Sequence, residues 1–161
     1  MLDSAECPYY LITRASLAIT AGLKKAFNDA GIGHVKPAYL GVLMSLWKEE
    51  GLDEVLGKLG SPGGIKIADL GRRAGLEPST MTGLIDRMER DGLVRRENDP
   101  EDRRALIIRL TDEGGGVRKA VTAAVDAALG EAFEGVGPGA VEAVKVALRK
   151  VLVNADRGNV E

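Results

Sequence analysis

Residues 67–110 change from a helical to a strand repeat within one short stretch, and this change constrains the fold more than any other feature of the sequence. The first part reads IADLGRRAGLEPSTMTGLIDRM, in which Gly75 and Pro78 separate two segments with apolar residues at helical spacing. A glycine suits the end of one helix and a proline the first turn of the next. Strand-like segments follow at 93–97 and 105–110, and the second alternates in the way typical of a strand half covered by a core. The sequence therefore predicts two short helices followed by a β-hairpin, whose tip lies in the charged run ENDPEDRRA.

Longer helical repeats flank this unit on both sides. Pro8 begins one repeat, and Pro37 begins another that is expected to end by Gly51. Thr111 suits the N-cap of a further helix, and the glycine-rich break at 135–139 separates that helix from a last one. The predicted fold class is therefore mainly α with a small β-hairpin.

Acidic and basic residues nearly balance in number, but the arginines are clustered along the chain. Its 161 residues carry a net charge of −2, which gives no global sign of a nucleic-acid partner. However, nine of the thirteen arginines lie between Arg72 and Arg109, together with eight acidic residues and no lysine. Arginine is the residue suited to bidentate contacts with phosphate and guanine. The arginines therefore mark a patterned surface on the helix and hairpin unit.

The single cysteine and the character of the N-terminus indicate where the protein works. Cys7 has no second cysteine with which to form an intramolecular disulfide, which fits a reducing compartment. The N-terminus lacks the basic segment and long apolar core of a signal peptide, and no apolar run approaches the roughly 18 residues that span a bilayer. We expect a cytoplasmic protein with no membrane partner.

The second helix of the central unit has the composition of a recognition helix. It begins with the small residues Ser79, Thr80, Thr82 and Gly83, and it offers Arg87 further along. Small side chains allow a helix start to approach a groove floor, where amides and hydroxyls meet phosphates and base edges. For this helix pair alone, an ordinary packed connection with hydroxyl caps is the competing interpretation.

A hairpin directly after such a helix makes a winged helix-turn-helix. Its tip would extend from the major groove to the neighbouring minor groove, where Arg103 and Arg104 suit the negative potential of a narrow groove. Asp102 can hold the tip arginine extended by a salt bridge, and Arg95 at the base of the wing can contact phosphate. The competing interpretation is a solvated loop with surface ion pairs.

These features together resemble the MarR family of bacterial transcription regulators. The similarity is carried by residues 37–51 and especially by 67–113, which hold a Ser-Thr-x-Thr start to the recognition helix, the run Met-Glu-x-x-Gly-Leu-Val, the Asp-x-Arg wing and a Leu-Thr pair. The resemblance implies a winged helix-turn-helix flanked by N- and C-terminal dimerisation helices. It divides the chain into a dimerisation helix at 1–36, a DNA-binding domain at 37–110 with an insert at 52–64, and dimerisation helices at 111–161.

The resemblance also implies a function and assigns residues to it. Members of this family are sequence-specific DNA-binding regulators, often repressors, and they bind pseudo-palindromic operators as homodimers and are released by an effector. Residue by residue, the similarity assigns contacts with double-stranded DNA to Ser79, Thr80, Thr82, Arg87, Asp102 and Arg104.

The identity of the effector is left open by the sequence. A small aromatic or phenolic effector is expected, with Tyr9, Tyr39 and Trp47 as candidate contacts, although packing explains each of them as well. Tyr39 also departs from the glutamine that is frequent in the family at this position. One alternative is redox sensing through Cys7, because a subgroup of the family senses organic hydroperoxides through a cysteine in its first helix. Another is a helical interaction module that does not bind DNA.

An enzyme is not expected. The sequence has no glycine-rich phosphate loop after a strand, no nucleophile elbow and no Cys/His metal pattern. We therefore expect no catalytic residue, no metal site and no cofactor.

Overall fold

The computed structural model describes residues 3, 6–55, 64–100, 102 and 105–158. Within these residues the chain forms seven α-helices and three short strands. The helices are α1 Pro8–Asp29, α2 Leu40–Val55, α3 Ile67–Ala74, α4 Pro78–Arg90, α5 Asp112–Gly116, α6 Arg118–Ala132 and α7 Pro138–Gly158. The strands are β1 Ile65–Lys66, β2 Val94–Asn98 and β3 Leu106–Leu110, and a 3-10 turn at Pro37–Tyr39 leads into α2.

Local signals in the sequence set most helix ends. Pro8 and Pro78 occupy first-turn positions of α1 and α4. Gly75 ends α3 with a φ of 64°, a left-handed conformation that a glycine adopts without a steric penalty. Thr111 is the N-cap of α5, and its hydroxyl accepts a hydrogen bond from the backbone N–H of Gly114. The predicted mainly helical fold with a hairpin is therefore confirmed.

Two expectations about the helices are wrong. Helix α2 does not end by Gly51 but continues to Val55, because Gly51 does not take the left-handed conformation that ends α3. The single helix expected after Thr111 is divided at Val117 into α5 and α6, where three successive glycines weaken the helix. Most of the expected insert, residues 56–63, lies outside the described residues.

The sheet has one strand more than the sequence predicts. Strands β2 and β3 form the expected antiparallel hairpin, with Val94 opposite Leu110. Strand β1 pairs with the other edge of β3, with Ile65 opposite Ile108, so the strand order is β1-β3-β2. A strand of two residues is too short to produce a readable alternation, which explains why it was not predicted.

One continuous core connects the helix-turn-helix unit to α1 and α6. Its fully buried side chains include Phe27 from α1, Leu43 from α2, Ile85 from α4, Ile108 from β3 and Val121 from α6. Helix α7 contributes none of the buried core residues in the described part of the chain. The division into dimerisation and DNA-binding segments stays a prediction. None of the described helices has the length and apolar character needed to cross a membrane.

Candidate nucleic-acid interface

Helix α4 buries one face and presents the other to solvent. Its inner face consists of the buried residues Met81, Leu84, Ile85 and Met88. The sequence-predicted residues Ser79, Thr80, Thr82 and Arg87 are all exposed, and Gly83 between them is half-buried. This division follows from the 3.6-residue helical period, which brings residues three and four positions apart onto one face. The structure therefore places these predicted residues together on the outer side of one helix.

The arginines of this region differ in whether they have a carboxylate partner. Seven arginines between residues 72 and 109 are described, and two of them form no ion pair with another described residue. These two are Arg87 and Arg90, which are both exposed on α4. The ion-paired ones are Arg72 with Asp69, Arg73 with Glu49, Arg95 with Glu97, Arg96 with Asp86 and Glu89, and Arg109 with Glu97. Arg90 was not predicted as a site residue, although its spacing of three residues from Arg87 places it on a neighbouring part of the same surface.

The base of the wing is held by a carboxylate shared between its two strands. Glu97 accepts a hydrogen bond from Nε of Arg95 at 2.7 Å, and its other oxygen lies 2.6 Å from Nε of Arg109 on β3. The Arg109 contact is an ion pair without hydrogen-bond alignment, since that Nε has no hydrogen-bond partner. The hydrogen bond from Arg95, together with the charge of Arg109, holds the pKa of Glu97 below its ordinary value. Arg95, which was predicted to contact phosphate, is thus half-exposed and forms an ion pair with Glu97.

A second pair fixes the far end of β2 to β1. Asp99 is buried, and its carboxylate lies 3.0 Å from the Lys66 ammonium. Asp99 also accepts a hydrogen bond from the backbone N–H of Asp102, at 3.4 Å. The hydrogen bond to Asp99 and the charge of Asp99 raise the pKa of Lys66. Asp102 is exposed beside this pair, whereas Arg103 and Arg104 lie outside the described residues, so their contacts stay predictions.

A third contact, which the sequence did not predict, joins β2 to α4. Arg96 donates hydrogen bonds from its guanidinium to Asp86 and Glu89 of α4. Its backbone N–H also donates to Glu89, at 3.1 Å. Burial alone would lower the pKa of the Arg96 guanidinium, but the hydrogen bonds and charges of the two acids outweigh it and raise that pKa. Of the three side chains, Arg96 is the most buried.

Comparison with known proteins assigns the chain to a family. The model of the MarR family matches residues 54–106. A crystal structure of a MarR-family transcriptional regulator from Rhodococcus sp. RHA1 is 30% identical in sequence, with a TM-score of 0.68, and the match covers 88% of this chain and 89% of that one. This chain belongs to the MarR family.

Other known proteins are similar to this chain over different lengths. CouR from Rhodococcus jostii RHA1, whose crystal structure contains p-coumaroyl-CoA, is 28% identical, with a TM-score of 0.70 and coverage of 94% of this chain and 95% of that one. The HTH-type transcriptional repressor MdtR of Bacillus subtilis is 37% identical over 80 residues, which are 50% of this chain and 43% of MdtR. The chain spans about half the length of the curated relatives that it matches. These curated relatives are described as HTH-type transcriptional regulators or repressors.

Two of the three aromatic residues predicted to contact an effector are buried in this MarR-family chain. The hydroxyl of Tyr39 donates a hydrogen bond of 2.7 Å to Asp91, and burial, with Asp91 adding to it, raises the pKa of Tyr39 to about 12. Trp47 donates from Nε1 to the carbonyl oxygen of Gly114 at 2.9 Å. Tyr9, in contrast, is 79% exposed on α1. Trp47 therefore occupies a different environment from Tyr9, and the effector role of all three stays a prediction.

A cavity of about 440 Å³ lies between α2 and α6 and includes Trp47 in its wall. Most of the wall is apolar, with Leu40, Met44, Val121 and Val125 beside the indole. Its polar members are Lys48, Arg118, Thr122 and Asp126. Neither cation forms an ion pair with a residue that the structure describes. The cavity thus combines an apolar wall with cationic groups.

Cys7, the predicted redox residue, precedes Pro8 as the N-cap of α1 and is half-buried. Its backbone carbonyl accepts a hydrogen bond from Leu11, so it belongs to the first turn of the helix. Oxidant sensing by this thiol stays a prediction. In the described residues no group of three or more His, Cys, Asp or Glu side chains is arranged to hold a metal ion.

Proposed function

We propose that this chain is a sequence-specific transcription repressor that binds a pseudo-palindromic operator as a homodimer and is released by a small-molecule effector. The observation that carries the proposal is the outer surface of α4, where Arg87 and Arg90 have no ion-pair partner among the described residues. Uncompensated guanidinium groups beside small hydroxylated residues suit phosphates and base edges. The similarity to the repressor MdtR supports the direction of regulation.

In this proposal α4 enters the major groove and the wing reaches the adjacent minor groove. Ser79, Thr80, Thr82 and Gly83 are small enough to allow close approach of the helix start. Thr82 donates its hydroxyl proton to the Pro78 carbonyl, so its oxygen remains available only as an acceptor. The wing residues proposed to contact DNA are Arg95, Asp102, Arg103 and Arg104, with Asp102 orienting a tip arginine.

Fluorescence anisotropy with a labelled duplex that the wild-type chain selects from a random pool tests this proposal. Arg87→Ala should weaken binding by about 1–3 kcal/mol, the usual contribution of a good arginine contact. Lys25→Ala serves as the control, because it also removes one positive charge, but from a residue of α1 that is ion-paired with Asp29. This variant should bind like the wild type. Failure of the wild type to select or bind any duplex would contradict the proposal and favour an interaction module.

The effector is proposed to bind in the cavity between α2 and α6. Its apolar wall suits an aromatic ring, and Lys48 and Arg118 suit a phenolate or carboxylate group. CouR, crystallised with p-coumaroyl-CoA, supports an aromatic ligand for this fold. In the same anisotropy assay p-coumarate should release DNA from the wild type, and its effect should weaken in Lys48→Ala. Unchanged release in that variant would argue against this cavity.

Dimerisation is proposed because α7 contributes no side chain to the hydrophobic core of the described residues. Four of its exposed apolar side chains recur at helical spacing on one side of the helix: Val144, Leu148, Val151 and Leu152. Soluble monomers rarely expose so continuous an apolar surface, since its burial is favourable. A second copy of the chain would cover it, and two α4 helices related by a two-fold axis would then face two operator half-sites.

A further inference from the structure

Helix α4 carries two acids on the part of its surface that faces away from the core. Asp86 and Glu89 are both exposed, and Asp86 is adjacent in sequence to Arg87. Counted along the helix, Asp86 lies four residues after Thr82 and four before Arg90, so it shares a surface with residues proposed to meet DNA. Carboxylates at this place would face phosphates, and like charges across an interface are unfavourable.

The charge of these acids is compensated by one residue outside the helix. Arg96 of β2 contacts a carboxylate oxygen of each, and its side chain is only 22% exposed. No other ion pair is formed by Asp86 or Glu89 within the described residues. Because the backbone N–H of Arg96 also donates to Glu89, the Glu89 carboxylate is held towards the wing by two contacts, and Asp86 by one. The arginine is occupied by these contacts and is not available as a free phosphate ligand.

We propose that Arg96 is a positioning residue for DNA binding, which neutralises Asp86 and Glu89 and holds them against the wing so that Arg87 and Arg90 meet the phosphates without competition. The inference rests on the proposed binding of DNA through α4. It assigns Arg96 no contact with DNA. It also accounts for a recognition helix that contains acids in a chain whose net charge is −2.

The test compares Arg96→Gln with a variant in which the acids are neutralised as well. Arg96→Gln should weaken binding to the selected duplex by about tenfold, because two carboxylates then oppose the phosphates. The combined variant Arg96→Gln/Asp86→Asn/Glu89→Gln should recover to within about threefold of the wild type, a rescue that a purely structural or DNA-contacting arginine would not allow. Arg95→Gln, which alters the neighbouring residue of β2, is the matched control and should not be rescued by neutralising Asp86 and Glu89.

Every other outcome contradicts either the proposed role of Arg96 or the proposed binding of DNA. Unchanged binding in Arg96→Gln, or a loss that the neutralised acids do not restore, contradicts the inference while leaving DNA binding intact. A loss without rescue and with a salt slope reduced by about one would identify Arg96 as a phosphate contact. If Arg96→Gln melts at a lower temperature, Arg96→Lys keeps the charge but not the two guanidinium NH groups, so it should bind more tightly than Arg96→Gln and less tightly than the wild type. Binding as weak as that of Arg96→Gln contradicts the inference. Absence of binding by the wild type contradicts the proposed function and this inference together.

Discussion

Tyr39 connects the turn before α2 to the end of α4. It is buried, and its hydroxyl donates to Asp91, which follows the last residue of α4. Gly92 then reverses the chain with a φ of 76° towards the wing. A single hydrogen bond between residues 52 positions apart thus fixes the point at which α4 passes into β2.

Tyr39→Phe tests this connection through stability and its dependence on pH. At neutral pH the variant should lose about 1 kcal/mol of unfolding free energy, because Asp91 loses its donor. The pKa of Tyr39 is raised from 10.0 to about 12, so the folded state binds the phenolic proton more tightly than the unfolded state does. That stabilisation is fully present below pH 10 and is lost as the pH rises through 12. Urea unfolding should therefore show a smaller alkaline loss for Tyr39→Phe than for the wild type.

The exposed Tyr9 provides the control for this measurement. Tyr9→Phe should keep both the neutral stability and the alkaline dependence of the wild type. An identical alkaline loss in Tyr39→Phe and the wild type would mean that another group causes it.

At the scale of elements, α5 is the contact point between α2 and the end of the hairpin. The carbonyl oxygen of Gly114 accepts from Trp47 of α2, and a side chain at Gly114 would overlap the carbonyl oxygen of Leu93. That oxygen is fixed because it accepts a hydrogen bond from the backbone N–H of Thr111. The absence of a side chain at Gly114 therefore lets three elements meet closely.

Two neighbouring glycines of α5 allow a matched test of this packing. Gly114→Ala should lower the free energy of unfolding by about 2 kcal/mol or more, because the added methyl group displaces backbone. Gly115→Ala meets no atom within 4 Å and should leave stability unchanged or raise it by up to about 1 kcal/mol through helix propensity. Urea unfolding curves of the two variants measure the difference. Equal stabilities would show that α5 can move away from Leu93.

Sequence patterns predicted those elements whose signals are local. Gly75, Pro78 and Thr111 act on their own neighbours, so the ends of α3 and the starts of α4 and α5 could be predicted. The exposed face of α4 followed in the same way from its period. Strand β1 and the partners of Arg96 depend on residues brought together only by folding, and a charge count between 72 and 109 does not reveal them.

At the scale of the whole molecule, most acids near the arginines have structural roles. Four of them form ion pairs with a Lys or Arg side chain on another helix or strand: Asp86, Glu89, Glu97 and Asp99. A fifth, Asp91, accepts a hydrogen bond from Tyr39. Their negative charge is thereby compensated locally, while the outer arginines of α4 keep theirs. A net charge near zero is therefore compatible with a basic surface, which explains why the overall charge was uninformative in the sequence.

The exposed apolar side of α7 gives the prediction for the assembly. Leu148→Glu/Leu152→Glu places charges on that side and should convert a dimer into a monomer, because a buried carboxylate without a partner is costly. Lys150→Glu alters the opposite side of α7 with the same change in net charge, and it should remain dimeric. Light scattering after size-exclusion chromatography at micromolar concentration measures both. The double variant should also lose most of its affinity for the selected duplex, since its two α4 helices are no longer linked. A monomeric wild type, or a double variant that stays dimeric, would contradict the proposed role of α7.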